Sequence, residues 1–137
     1  MENLKVLFNN KITVDNIKSI RDAFPNGGRY CLHKNINEKI QIMIIYMPPL
    51  IRYPIHMHKD CGEYYYLISG NLEIEFFSEK NFNKKIKIVN LDKKAVISCY
   101  IDSYEYHSTK SGKKGAIYME IKQGPFDKNN TEIILKS

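Results

Sequence analysis

From residue 39 onward the apolar residues keep a period of two or run continuously, and no helical spacing interrupts them. Residues 39–47 (KIQIMIIYM) are apolar and β-branched, and 63–68 (EYYYLI) are aromatic. Residues 72–77 (LEIEFF) alternate, with Leu72, Ile74 and Phe76 on one face and Glu73 and Glu75 on the other. Further strand-like runs occupy 84–90, 95–101 and 115–122. Strands this closely spaced, without helices between them, exclude a parallel α/β sheet, because parallel neighbours need long crossovers. Ser69-Gly70-Asn71 reads as the tight turn of a hairpin. Each strand must bury one face and the sheet must hide its edges. The expected solution is a closed or sandwiched antiparallel sheet, a small barrel able to enclose a pocket.

One helix precedes this region. Thr13 is placed to cap it, Asp15 suits its first turn, and Val14, Ile17, Ile20 and Phe24 recur at helical spacing. Pro25-Asn26-Gly27-Gly28 ends it. The chain has 137 residues, so one domain is expected. It divides into a helical and strand extension over 1–35, a barrel over 36–126 and a tail over 127–137.

Apolar residues at 43% and charged residues at 26% match ordinary globular usage and exclude disordered or collagen-like chains. The net charge is +6, but the lysines are dispersed, and only Arg21, Arg29 and Arg52 are arginine. A nucleic-acid footprint clusters on one element, so no nucleic-acid partner is expected. No apolar run approaches the roughly 20 residues that span a bilayer, so no membrane partner is expected either. The start, MENLKVLFNN, lacks the apolar core of a secretory signal. Cys31, Cys61 and Cys99 are odd in number and form no C-x-x-C pair, which fits reduced thiols. A cytoplasmic location follows as an expectation. Cys61, close to the histidines below, reads as a small loop residue rather than a ligand.

The stretch Pro54-Ile55-His56-Met57-His58-Lys59-Asp60-Cys61-Gly62-Glu63 carries chemistry. On an extended strand His56 and His58 project to one face. Gly62 lets the chain turn, and Glu63 can return a carboxylate to the same point. His107, near the start of a later strand, can complete the set. Three imidazoles and a carboxylate suit a divalent transition metal, Zn, Fe, Ni, Mn or Cu, and ligand type does not choose among them. Against this stands the ordinary reading of a His-x-His pair as surface histidines. His33, the fourth histidine, reads as structural or substrate-facing.

His56-x-His58-x4-Glu63-x6-Gly70 resembles the first metal-binding motif of the cupins, small β-barrel or jelly-roll proteins. The resemblance implies the fold class expected above, mainly β with a short N-terminal helix. It also implies His56, His58, Glu63 and His107 as metal ligands. The second motif departs from the pattern. Asp102 and Tyr104 stand where its usual proline and glycine fall, which leaves a three-ligand site open. Arg29-Tyr30-Cys31-Leu32-His33, together with Glu120-Ile121-Lys122-Gln123-Gly124-Pro125-Phe126, is similar to the WbuC-type cupin metalloproteins. Those proteins are associated with bacterial surface-polysaccharide (O-antigen) gene clusters.

That resemblance implies a metal-binding cupin acting on a carbohydrate or nucleotide-sugar intermediate, with isomerase- or epimerase-like proton transfer favoured. The alternatives are a cupin dioxygenase using Fe(II), a non-catalytic sugar-binding or regulatory module, and a ketoisomerase whose His-x-His pair works without metal. Arg29, Arg52 and His33 are candidates for gripping an anionic substrate group. Glu120, Tyr106 and His33 are candidates for catalysis. Tyr64, Tyr66, Tyr106 and Tyr118 can line a cavity, although barrel-wall packing is the commoner role for such tyrosines. A homodimer is expected from the resemblance, with Ile133, Ile134 and Leu135 packing on the partner or on the chain's own barrel.

Overall fold

The computed structural model describes residues 3–6 and 13–134, and side chains from residue 13. Leu135, named above, lies outside the described residues. Among them, no helix is long and apolar enough to cross a membrane.

Helix α1 spans Val14–Ala23. Thr13 accepts a hydrogen bond from the Asn16 N–H, and the Asn16 side chain accepts one from the Thr13 N–H. This reciprocal cap satisfies two donors that a helix start leaves unpaired. Thr13→Ala should cost about 1 kcal/mol, read as a lowered midpoint in thermal denaturation. Ile20 and Phe24 are buried against Tyr30, Ile44, Tyr46 and Ile117, with Ile17 beside them. Val14, expected on that stripe, is instead exposed as the first residue of the helix.

The strands are β1 (Asn3–Val6), β2 (Gly28–Cys31), β3 (Ile40–Met47), β4 (Ile55–His58), β5 (Glu63–Ser78), β6 (Asn81–Leu91), β7 (Ser98–Ile101), β8 (Tyr106–Gln123) and β9 (Thr131–Ile134). Among the described residues only the β1–β2 pair is parallel. The expected hairpin at Ser69-Gly70-Asn71 is not formed. β5 runs straight through it as one strand of 16 residues. Gly70 takes φ +81, and the register against β8 shifts on both sides of it. A turn-like tripeptide thus serves as a bulge that bends the strand. β8 also starts earlier than the apolar run at 115–122 suggests, and it bends where Gly115 takes φ +76.

These two bent strands divide the pairing into two leaves. The second half of β8 and the first half of β5 join β1, β2, β3 and β7. The first half of β8 and the second half of β5 join β4, β6 and β9. Residues of both leaves share one buried cluster, including Met43, Met47, Leu67, Ile74, Phe76 and Tyr118. Among the described residues β1, β6, β7 and β9 each have one partner strand, so the sheet does not close. The architecture is the sandwiched, jelly-roll-like alternative.

Two patterns depart from the alternation. Ile86 and Ile88 of the edge strand β6 face solvent, because Leu91 and not its isoleucines meets the core. Glu75, on the outer face of β5, is buried beneath Arg52 and Lys85, both ion-paired to it. These cations and the Ser108 hydroxyl outweigh burial and hold the Glu75 carboxyl below its ordinary value. The tail is not loose. β9 pairs with β4 of the same chain, where Ile133 lies opposite His56 and is exposed.

Candidate metal centre

His56 and His58 come from β4, Glu63 opens β5 and His107 is the second residue of β8. One ligand atom from each lies within 4.8 Å of all the others. The fold-over of the leaves makes this possible. Glu63 and Phe76, the partner of His107, are 13 residues apart on β5, roughly 40 Å on a flat strand. In the bent structure Glu63 Oε1 is 2.9 Å from His107 Nε2 and 3.5 Å from His58 Nε2.

Each imidazole is anchored through Nδ1. His56 Nδ1 is 2.9 Å from the Pro54 carbonyl, and His107 Nδ1 is 2.9 Å from the Glu105 carbonyl. Carbonyls only accept, so both Nδ1 atoms carry hydrogen and leave Nε2 with a lone pair, the state a metal ligand needs. His58 Nδ1 is 2.9 Å from the Thr131 hydroxyl. His107 Nε2 and Glu63 Oε2 are buried and have no hydrogen-bond partner. Unsatisfied buried polar atoms are costly, and a cation accepted by this donor set would satisfy both. The residues therefore fit a divalent metal.

Burial dominates the titration of the cluster. It lowers His56 to about 4, with the His107 charge second. Burial and then Lys122 lower His58 to about 2, and burial also lowers His107. These imidazoles are neutral at pH 7. Burial raises Glu63. It also raises Glu120 to about 7, with the Glu63 charge as the next cause.

His107 is brought in despite the irregular motif ahead of it. Tyr104 takes φ +65, the left-handed region in which glycine is usual. Its N–H donates to the His58 carbonyl at 2.8 Å, and its hydroxyl donates to Asp60 Oδ1 at 3.0 Å. Those bonds hold a non-glycine residue in the conformation and tie the two ligand loops together.

A cavity of about 340 Å³ adjoins His58. Arg29, His33, Gln41, Lys122, Phe126 and Thr131 are among its walls. His33 Nδ1 accepts from the Ile42 N–H at 3.1 Å, which fixes the ring. Arg29 and His33 are thus brought together beside the cluster. Arg52 is not, since it is spent on Glu75. Glu120 faces inward beside Glu63, as Tyr118 does, which resolves the phase of β8. Tyr106 neighbours His107 in sequence but packs against Phe82, with ring centroids 4.9 Å apart. Tyr64 and Tyr66 face solvent. The tyrosine at the cluster is Tyr65, whose hydroxyl is 3.3 Å from Glu63 Oε1. Period two from Glu63 indicates it. Lys122 shares the inward phase of Glu120, whereas nothing in the sequence marks Thr131.

No protein-family model matches the chain, and no curated protein matches it. Solved structures do. Oxalate decarboxylase from Bacillus subtilis is 22% identical with a TM-score of 0.58, over 72% of this chain and 25% of that one. The capsular polysaccharide assembling protein CapF from Staphylococcus aureus is 18% identical with a TM-score of 0.57, over 70% of this chain and 26% of that one. CapF with the inhibitor 3-isopropenyl-tropolone is 16% identical with a TM-score of 0.60, over 77% and 30%. This chain spans about a quarter of the length of the oxalate decarboxylase it matches. The protein has the cupin fold. Within that class it carries a three-histidine, one-glutamate cluster able to hold a metal ion.

Proposed function

We propose that the protein is a WbuC-type metal-binding cupin acting on a carbohydrate or nucleotide-sugar intermediate of bacterial surface-polysaccharide (O-antigen) assembly, by isomerase- or epimerase-like proton transfer. The observation that carries this reading is the convergence of three imidazoles and a carboxylate with a further buried carboxyl, Glu120, facing Glu63. The likeness in fold to a capsular polysaccharide assembling protein supports the substrate class.

His56, His58, Glu63 and His107 hold the divalent transition metal, Zn, Fe, Ni or Mn. Once bound, it supplies polarisation of a substrate carbonyl or hydroxyl. Glu120 is poised to take or return a proton at neutral pH, where a general acid–base group works best. Arg29 and His33 on the cavity wall orient the substrate. The buried aromatic lining of Tyr65 and Tyr118 keeps water from the carboxyls. The reading carries with it a cytoplasmic homodimer, which sedimentation velocity of the purified protein checks.

The test combines elemental analysis with incubation of sugars and nucleotide sugars in D2O. Stoichiometric metal and deuterium incorporated at a ring carbon are expected, with incorporation lost in Glu120→Gln. Activity in metal-free protein would instead indicate the metal-independent ketoisomerase. Oxygen uptake with bound iron would indicate the dioxygenase. Sugar binding without exchange would leave only a binding module.

A further inference from the structure

We infer that the cavity beside the cluster binds an oxyanion, a carboxylate or a phosphate, carried on a single-ring ligand, and that Lys122 supplies its main counter-charge. This rests on the cavity being the substrate site of the function proposed above, and it names the class of substrate.

Lys122 lies on β8 between Gln41 of β3 and Glu63 of β5, in the inward phase of Tyr118 and Glu120. It lines the cavity and is half-buried. Its Nζ lies 3.4 Å from His58 Nδ1. That nitrogen also lies 2.9 Å from the Thr131 hydroxyl. When His58 presents its Nε2 lone pair to the cluster, Nδ1 carries the hydrogen and has nothing to offer an ammonium. Among the described residues no carboxylate oxygen lies within 4.0 Å of Nζ. The buried carboxyls Glu63 and Glu120 act on Lys122 through space without a direct ion pair, and an anionic ligand in the cavity would give the partly buried ammonium a direct acceptor.

The other charges on the wall are one cation and two carboxylates. Arg29 adds a second cation. Asp60 and Asp127 also line the cavity but are exposed. Each is already engaged, Asp60 by the Tyr104 hydroxyl and Asp127 by the Asn129 N–H. The deep wall is therefore cationic and the rim acidic. At about 340 Å³ the cavity is at the small end of the ~300–1,000 Å³ range of ligand pockets, a fit for one ring and its acidic substituent. Phe126 and Ile36 on the wall offer an apolar face to the ring.

The test is calorimetric titration of the metal-loaded protein with glucuronate, glucose 1-phosphate and glucose. At least one acidic sugar should bind about 10-fold or more tightly than glucose, the gain of one charge-assisted hydrogen bond. The tighter of the two identifies the anion. Lys122→Met should erase the preference at unchanged metal content, and Lys122→Arg should keep it. In the unaltered protein, added salt should weaken the acidic sugar and leave glucose unaffected. Equal binding of glucose, or a preference that survives in Lys122→Met, overturns the inference. Deuterium exchange into a neutral sugar alone would sink this subsite and leave the proton-transfer reading standing. Acidic-sugar binding without exchange would do the reverse.

Discussion

Purified His58→Ala protein should carry no stoichiometric metal, and His56→Ala should behave alike. Residues that merely support a metal ligand are worth about 10- to 100-fold in affinity, so loss of an imidazole from a four-residue set should exceed ~100-fold. Elemental analysis after purification reads this directly, and unchanged metal in both variants rejects the site. The pH dependence is more discriminating. Protons competing for imidazole at free values near 6.5 would weaken metal binding in mild acid. Burial removes that competition, because His56 lies at about 4 and His58 at about 2 in the folded protein. The competing proton sits on the carboxyls instead, since Glu63 is raised and Glu120 reaches about 7. A raised carboxyl holds its proton below its shifted value, and Glu63 must lose its own to bind a cation. Metal affinity should therefore fall as acid returns the proton to the raised Glu63 carboxyl, by at most about tenfold per pH unit for one displaced proton. Glu120→Gln removes the neighbouring negative charge, so Glu63 ionises more readily and the dependence should flatten. A slope of two or more protons centred near 6.5 would show that the imidazoles compete after all.

The cluster of three histidines and a glutamate was legible in the sequence largely because it obeys strand periodicity. His56 and His58 share a face, and Glu63 opens the next strand after a glycine. His107 was a candidate from its place near the start of a later strand, and the conformation of Tyr104 shows how an irregular motif still delivers it. Lys122 and Glu120 share a face that the run 115–122 did not orient, since apolar residues occupy both of its phases. The partner strands decide the matter by placing Tyr118 in the core and Ile117 under the helix. Arg52 looked like a substrate clamp because sequence cannot show a carboxylate 23 residues away folded beneath it. Thr131 was hidden by distance too, 73 residues from the histidine it steadies. The hairpin expected at Ser69-Gly70-Asn71 failed for a different reason. The same three residues satisfy a tight turn and a bulge, and only the partner β8, continuous past this point, selects the bulge.

That bulge makes Gly70→Val the most damaging single change expected outside the metal cluster. Gly70 takes φ +81, where a β-branched residue is strained. A Cβ there would lie 2.1 Å from the Gly115 carbonyl oxygen and 3.0 Å from its carbon. Both are backbone atoms of the strand that must pair with it, so no rotamer relieves the clash. Gly115 is itself tightly placed, since a Cβ added to it would lie 2.7 Å from the Met47 carbonyl oxygen. Strain of about 1–3 kcal/mol at the left-handed residue adds to a separation of the two central strands. The sum should exceed about 4 kcal/mol, the range in which marginally stable domains unfold. Gly62→Ala supplies the contrast. Its Cβ would meet the Tyr100 hydroxyl at 2.5 Å, the far end of an exposed side chain that can swing away, so a loss near 1 kcal/mol is expected. Because β5 must bend at Gly70 to carry Glu63 over to His107, Gly70→Val should abolish cooperative thermal unfolding and metal binding together. A Gly70→Val protein that melts like the unaltered one would show that the bend does not assemble the site.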